Sequence, residues 1–237
     1  MFQRLLAAAH RAVPSQCAVC RAWPAQPLCG ACSVEFGHAR ARCLRCALPI
    51  PAGVDVDECG KCLAEPPVLD ECHAAVSYGY PWSYLVAQYK FKGEPGWARV
   101  FANLMRCSNA LMASIDRADC VLPMPLARER LAERGFNQAL ALARLLAPAR
   151  TDAGLLLRIR NTPAQSALER RARIGNVQGA FALDPMRAGD VRGKRVVLVD
   201  DVMTSGASLH ASARVVREGG ASHVAAVVFA RTDDSGG

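Results

Sequence analysis

Continuous apolar runs, not alternating ones, mark the strands of this chain. VVLV, Val196 to Val199, follows Lys194 and Arg195 and runs into two adjacent aspartates. HVAAVVFA, His223 to Ala230, has the same character. DCVLPMPL, Asp119 to Leu126, predicts a short buried strand ended by its prolines. CHAAVSYGY, Cys72 to Tyr80, predicts a further strand. Strands apolar on both faces belong to a parallel sheet covered by helices on each side. Between the last two strands, SLHASARVVREGG predicts a helix closed by Gly219 and Gly220.

Pro81 suits a helix start, so a helix is expected from Trp82 to about Tyr89. A basic turn, KFKGE, separates it from a second helix, Trp97 to about Ser114. A third follows Arg134. From Asn137, positions Leu140, Ala143, Leu145 and Leu146 keep helical spacing, and Pro148 marks the end. Leu155 to Leu183 is rich in arginine and poor in strong apolar residues. A polar segment between core elements often carries a binding loop, and an exposed helix around SALERRARI is compatible with that. The ending RTDDSGG reads as a frayed tail.

At the other end, MFQRLLAAAHRAVP predicts a short amphipathic helix ended near Pro14. Its apolar run is too short for a secretory signal, and no stretch reaches the roughly 18 apolar residues of a membrane span. A cytoplasmic location is expected. The organisation expected is a short helix in 1–16, a cysteine module in 17–63, a linker in 64–70 stiffened by Pro66 and Pro67, and an α/β domain in 71–237. With 237 residues and 51% hydrophobic content, there is enough chain for one sizeable core and a small module.

Eight of the eleven cysteines fall in four CxxC pairs: Cys17 and Cys20, Cys29 and Cys32, Cys43 and Cys46, Cys59 and Cys62. Eight residues separate the first two pairs and twelve the last two. CxxC brings two thiolates from one tight turn to one ion, and two such turns complete a tetrahedron. Two structural zinc ions are expected. Sequential pairing closes the shorter loops, and an interleaved pairing is the alternative. A disulfide framework would need an oxidising compartment, for which there is no export signal. Cys72, Cys107 and Cys120 have no paired spacing and read as core or incidental thiols.

Formal net charge is +8. Each zinc with four thiolates contributes about −2, so the two sites would halve that excess and weaken any purely electrostatic case for nucleic acid. The cysteine module itself mixes Arg21, Arg40, Arg42, Arg45 and Lys61 with Glu35, Asp55, Asp57, Glu58 and Glu65, which is no basic stripe.

The two aspartates carry the chemistry. Ligands of an open parallel sheet bind at the carboxyl ends of the strands, where Asp200 and Asp201 stand. Met203, Thr204, Ser205, Gly206, Ala207 and Ser208 then supply a close turn, hydroxyls and a helix N-terminus, an anion cradle. A ribose carrying a phosphate needs both halves: acceptors for its hydroxyls and donors for its phosphate. An N-cap accounts for one aspartate, not two. No GK[ST] and no GxGxxG accompanies the turn.

VLVDDVMTSGAS closely resembles the 5-phosphoribosyl 1-diphosphate (PRPP) binding motif of type I phosphoribosyltransferases. The chain as a whole resembles the ComF family, in which a double zinc-ribbon-like module precedes a phosphoribosyltransferase-like domain. The resemblance includes YKFKG at Tyr89, LPMPL at Leu122, RLAERGFNQ at Arg130 and RIRNTPAQSALERRARIGNVQGAF at Arg158. Members often have threonines where Ser205 and Ser208 stand here, and serine keeps the hydroxyl.

The resemblance implies a parallel sheet with helices on both faces and an Mg²⁺-dependent reaction on PRPP. Asp200 and Asp201 would hold the ribose hydroxyls, directly or through Mg²⁺, and Met203 to Ser208 the 5′-phosphate. Lys90, Lys92, Arg128 and Arg134 are the candidates for the diphosphate. Arg160, Gln165, Arg170, Arg173 and Asn176 would lie on a closing loop with Thr162. Pyrophosphate would leave the anomeric carbon as a nitrogen nucleophile arrives, but the sequence does not identify that acceptor. Phe136, Asn137 and Gln138 either line the cleft or start a buried helix. The family also implies a link to DNA uptake, with single-stranded DNA, uptake-machinery proteins and a homo-oligomer as candidate partners. A non-catalytic DNA-processing accessory and a PRPP-sensing regulator are the alternative functions.

Overall fold

The computed structural model describes residues 15–37, 40–160 and 179–233. The expected N-terminal helix, the SALERRARI helix and the loop candidates Thr162, Gln165, Arg170, Arg173 and Asn176 lie outside them. The chain divides into two compact units, Met1–His38 and Ala39–Gly237.

In the first unit, Ser15 and Ala25 exchange two backbone hydrogen bonds around the first CxxC turn. Helix α1, Gly30–Phe36, starts inside the second. Cys29 is its N-cap, with its thiol accepting from the Cys32 N–H at 3.5 Å.

The second unit opens on the other two CxxC turns and helix α2, Gly60–Ala64. Next come β1 (Glu71–Ser77), α3 (Trp82–Phe91), α4 (Trp97–Arg106), α5 (Asn109–Asp116) and β2 (Cys120–Pro123). Then follow α6 (Arg128–Arg134), α7 (Gln138–Leu146), β3 (Leu156–Arg158), β4 (Phe181–Leu183), β5 (Arg195–Met203), α8 (Ala207–Glu218) and β6 (His223–Arg231). Four strands form a parallel sheet in the order β1-β6-β5-β2. The short β3 and β4 pair separately and antiparallel.

The apolar runs explain the layering. Alternate residues of a strand face opposite sides of its sheet. Val196, Leu198, Val224 and Ala226 join one buried cluster with Leu209, Ala213 and Val216 of α8. Farther along β6, Phe229 stacks on Phe101 of α4, ring centroids 4.0 Å apart, and meets Trp82 of α3 edge-on at 5.6 Å. Among the described residues no helix is long and apolar enough to cross a membrane.

Four features depart from the pattern reading. The ends of the polar segment 155–183 are strands, β3 and β4, whose Leu155, Leu156, Phe181 and Leu183 join the core. The single helix expected from Trp97 to Ser114 is two, because Ser108 adopts an extended backbone and its hydroxyl accepts from the Leu111 N–H at 3.4 Å. Helix α6 has no buried residue and so no apolar stripe to announce it. The main strand does not end at the aspartates. Asp200 pairs with Val228 and β5 continues to Met203, opposite Arg231.

Candidate functional site

Asp200 and Asp201 stand near the carboxyl end of β5 in different surroundings. Asp201 is 4% exposed. Its Oδ1 forms an ion pair with Lys90 Nζ at 3.0 Å, delivered by the last turn of α3. Its Oδ2 is buried without a hydrogen-bond partner. Asp200 is half-buried, and its Oδ1 accepts from the Asp201 N–H at 2.8 Å. Burial, followed by the Asp201 carboxylate, pushes the Asp200 carboxyl up to about 7, against the pull of Lys90.

Positive charge comes from helices and the small hairpin. Burial lowers the Arg134 guanidinium, while Asp201 and Asp200 act to restore it. Arg134 donates to Gln138 Oε1 at 3.0 Å and lies over the Phe91 ring. Arg158 of β3 is lowered by burial and by Arg130, with Asp200 opposing. Lys92 and Arg128 are exposed, and no described hydrogen bond or ion pair joins either to the aspartates. Arg160 is exposed too.

RGFNQ proves to be a helix start with a polar residue left over. Asn137 caps α7 by accepting from the Leu140 N–H at 3.0 Å and donates to the Met124 carbonyl at 3.0 Å. Phe136 packs on Tyr89, centroids 5.3 Å apart. The Tyr89 hydroxyl donates to the Gln138 carbonyl at 2.9 Å, and burial drives that phenol well above its ordinary range. Gln138 is 2% exposed and its side-chain Nε2 has no partner. A donor, Gln138 Nε2, and an acceptor, Asp201 Oδ2, are thus both unsatisfied; Arg134 bonds the other end of the Gln138 amide and feels the Asp201 charge. Sequence reasoning did not single out Tyr89 or an unpaired Gln138.

The turn after β5 is built on Gly206, at φ +76°. That angle favours glycine, and a Cβ there would also press on the tip of Met203 and on the His210 ring, which would have to shift. The Ala207 N–H reaches Ser205 Oγ at 3.4 Å. The first intrahelical bond of α8 runs from the His210 N–H to the Gly206 carbonyl, so the amides before it have no carbonyl within the helix.

The eight paired cysteines gather in two sets of four, sequentially: Cys17, Cys20, Cys29 and Cys32, then Cys43, Cys46, Cys59 and Cys62. In each set all sulfurs lie within 4.8 Å of one another. Cys20 and Cys29, and likewise Cys46 and Cys59, are 3.7 Å apart at sulfur. A disulfide needs about 2.05 Å. Two thiolates on one tetrahedral zinc at about 2.3 Å stand about 3.8 Å apart. Amides already serve the thiolates: Cys29 N–H to Cys17 Sγ at 3.4 Å and Cys59 N–H to Cys43 Sγ at 3.2 Å. Burial raises the Cys17 thiol, yet amide donors led by Cys29 outweigh it and bring it down to about 6. Both donor sets can hold zinc. Cys72 and Cys120 are buried core thiols, and Cys107 is exposed.

Residues 134–236 match the family model described as a phosphoribosyl transferase domain. That span takes in Arg134, Gln138, the aspartate pair and the Gly206 turn, and it defines the class: a parallel α/β domain of phosphoribosyltransferase type. Over 230 residues the chain is 34% identical to DNA utilization protein YhgH of Salmonella typhi, covering 93% of this chain and 98% of that protein. It is 26% identical over 204 residues to competence protein F of Haemophilus influenzae, covering 84% and 82% of the two. Competence protein ComFC of Bacillus subtilis is 28% identical over 153 residues, covering 65% and 60%. The chain belongs to the ComF family.

Proposed function

We propose that this protein binds PRPP with Mg²⁺ at the mouth of β5, as a phosphoribosyltransferase-like member of the ComF family acting in DNA uptake. The observation that carries the reading is Asp201 Oδ2, buried without a partner beside an Asp200 carboxyl pushed up to about 7. Lys90 serves Asp201 Oδ1 and the Asp201 N–H serves Asp200 Oδ1, which leaves Asp201 Oδ2 for a further donor or cation. The vicinal hydroxyls of a ribose supply donors, and a hydroxyl can also accept from the unpaired Gln138 Nε2. The amides opening α8, with the Thr204, Ser205 and Ser208 hydroxyls, take the 5′-phosphate. Lys90, Arg134 and Arg158 supply positive charge for the diphosphate. Lys92, Arg128 and Arg160 are outer candidates, and Gln165, Arg170, Arg173 and Asn176 complete the set. Mg²⁺, when bound, neutralises the diphosphate and orients it.

Transfer then displaces pyrophosphate from the anomeric carbon by a nitrogen nucleophile. The contribution of these residues is positioning and electrostatic stabilisation, which needs no dedicated base. One zinc in each thiol cluster would be structural, since all four ligands of each come from the chain. The competence and DNA-utilization names of its relatives support a role in DNA uptake.

Calorimetric titration of the zinc-loaded protein with PRPP tests the reading. Heat is expected only with Mg²⁺, and the Asp200→Asn/Asp201→Asn variant should lose it while retaining a cooperative melt. No heat from folded wild type at roughly millimolar PRPP would overturn it.

A further inference from the structure

Arg231 is the last residue of β6 and is 3% exposed. Its guanidinium reaches in two directions. Nε donates to the carbonyl of Cys46, a member of the second thiol cluster, at 3.0 Å. Nη1 donates to the carbonyls of Thr204 at 2.6 Å and of the neighbouring Thr232 at 2.5 Å, with the Met203 carbonyl at 3.4 Å. The Thr204 and Met203 carbonyls lie where β5 gives way to the Gly206 turn. One buried side chain therefore links the backbone of a metal-ligating cysteine to the backbone of the turn proposed to hold phosphate.

Peptide geometry makes the link directional. The Thr204 carbonyl and the Ser205 N–H belong to one planar trans peptide, in which they point opposite ways. With its carbonyl held inward on Arg231, the peptide aims the Ser205 amide away from the buried guanidinium. The other end of the bridge depends on Cys46, whose backbone position is fixed when its sulfur is bound to metal. The same layer is tied down nearby: the Cys72 N–H donates to the Leu44 carbonyl at 2.6 Å, and Arg42 donates to Ser77 Oγ at 2.9 Å.

We propose that Arg231 is a positioning residue through which metal at the Cys43, Cys46, Cys59 and Cys62 cluster orders the 204–208 turn. The inference rests on the PRPP reading for its purpose, but not for its test. Outer-shell partners of metal ligands typically change metal affinity or activity by roughly ten- to a hundredfold, and the lower end of that range sets the scale expected here.

Deuterium exchange of the amides in 205–209 of the full chain reads the order of the turn without any ligand. Arg231→Lys keeps a charge but has no fork to span both carbonyls, and it should speed that exchange roughly tenfold with the second metal retained. Cys62→Ser should do the same by removing the metal, and the two changes together should add little to either alone. Protection of 197–199 and 225–228 should persist in all three. Unchanged exchange in either single variant, or fully additive effects, overturns the proposal. Should a variant lose the core protection, wild type is followed while a chelator strips its zinc. Opening of 205–209 with the core still protected supports the proposal, and opening only together with the core overturns it. PRPP titration of the same variants should show roughly tenfold weaker binding. Wild type that fails to bind PRPP would remove the ligand reading, and the exchange result would still decide the bridge.

Discussion

Asp200 is costly to keep ionised, and that cost has a sign. Its folded value of about 7 lies above the ordinary 3.8, so between those values the folded protein holds a proton that the unfolded chain releases. Its contribution to stability is therefore complete below about pH 4 and is lost as pH rises towards 7. At about 1.4 kcal/mol per unit, and with partial exposure, the loss amounts to about 1–3 kcal/mol. Asp200→Asn removes the ionisation. The melting temperature of the variant should exceed that of wild type by several degrees at pH 8, and the difference should shrink towards zero near pH 4. Melting curves across that range check it; equal temperatures at every pH would show that the pair is not strained. The aspartates were legible because two adjacent carboxylates at a strand mouth exceed what a cap needs. Gln138 was legible only as one of two alternatives, cleft lining or helix start, because its unpaired amide becomes visible only once Asn137 has taken the cap and Tyr89 has taken the Gln138 carbonyl.

Lys90 reaches Asp201 because α3 ends beside the carboxyl end of β5. Its charge was legible in YKFKG, but its partner was not, since the partner depends on where the helix ends relative to a strand more than a hundred residues away. The same limit explains the other gaps between pattern and fold. Strands buried on both faces announce themselves, as β5 and β6 do. A surface helix such as α6, or a helix break made by one serine, carries no apolar signature. The pairing is strong enough to measure. Asp201 is nearly inaccessible, so Lys90→Met leaves a buried carboxylate without its cation and should cost about 2–4 kcal/mol in urea unfolding. Asp201→Asn in the same chain should recover part of that loss, with a coupling of about 1–3 kcal/mol. A Lys90→Met cost below about 0.5 kcal/mol would mean that the ion pair contributes nothing to the fold.

The two units differ in what holds them. Ala39–Gly237 has a sheet packed against helices, and its aromatic cluster and apolar strands would bury core without a metal. Among the described residues of the first unit, the only buried hydrophobic ones are Cys17 and Cys32, and Val34 of α1 is 78% exposed. A segment this short cannot offset its chain entropy with so little apolar burial. A zinc held by four thiolates supplies about 10–16 kcal/mol in peptides of this kind, enough to make folding conditional on metal. Chelation at neutral pH should therefore abolish amide protection throughout residues 15–37, while central strand residues 196–199 and 224–228 stay protected and the sheet still melts cooperatively. Mass spectrometry under native conditions reports metal content in the same samples. Retained protection of 15–37 in protein shown to be free of metal would mean that its backbone pairing, such as the Ser15 and Ala25 bonds, holds the unit unaided. Loss of protection in 15–37 and in 205–209, with the central strands still protected, would assign the first zinc to local folding and the second to the Gly206 turn through Arg231, whereas loss confined to 15–37 would leave the turn independent of the second zinc.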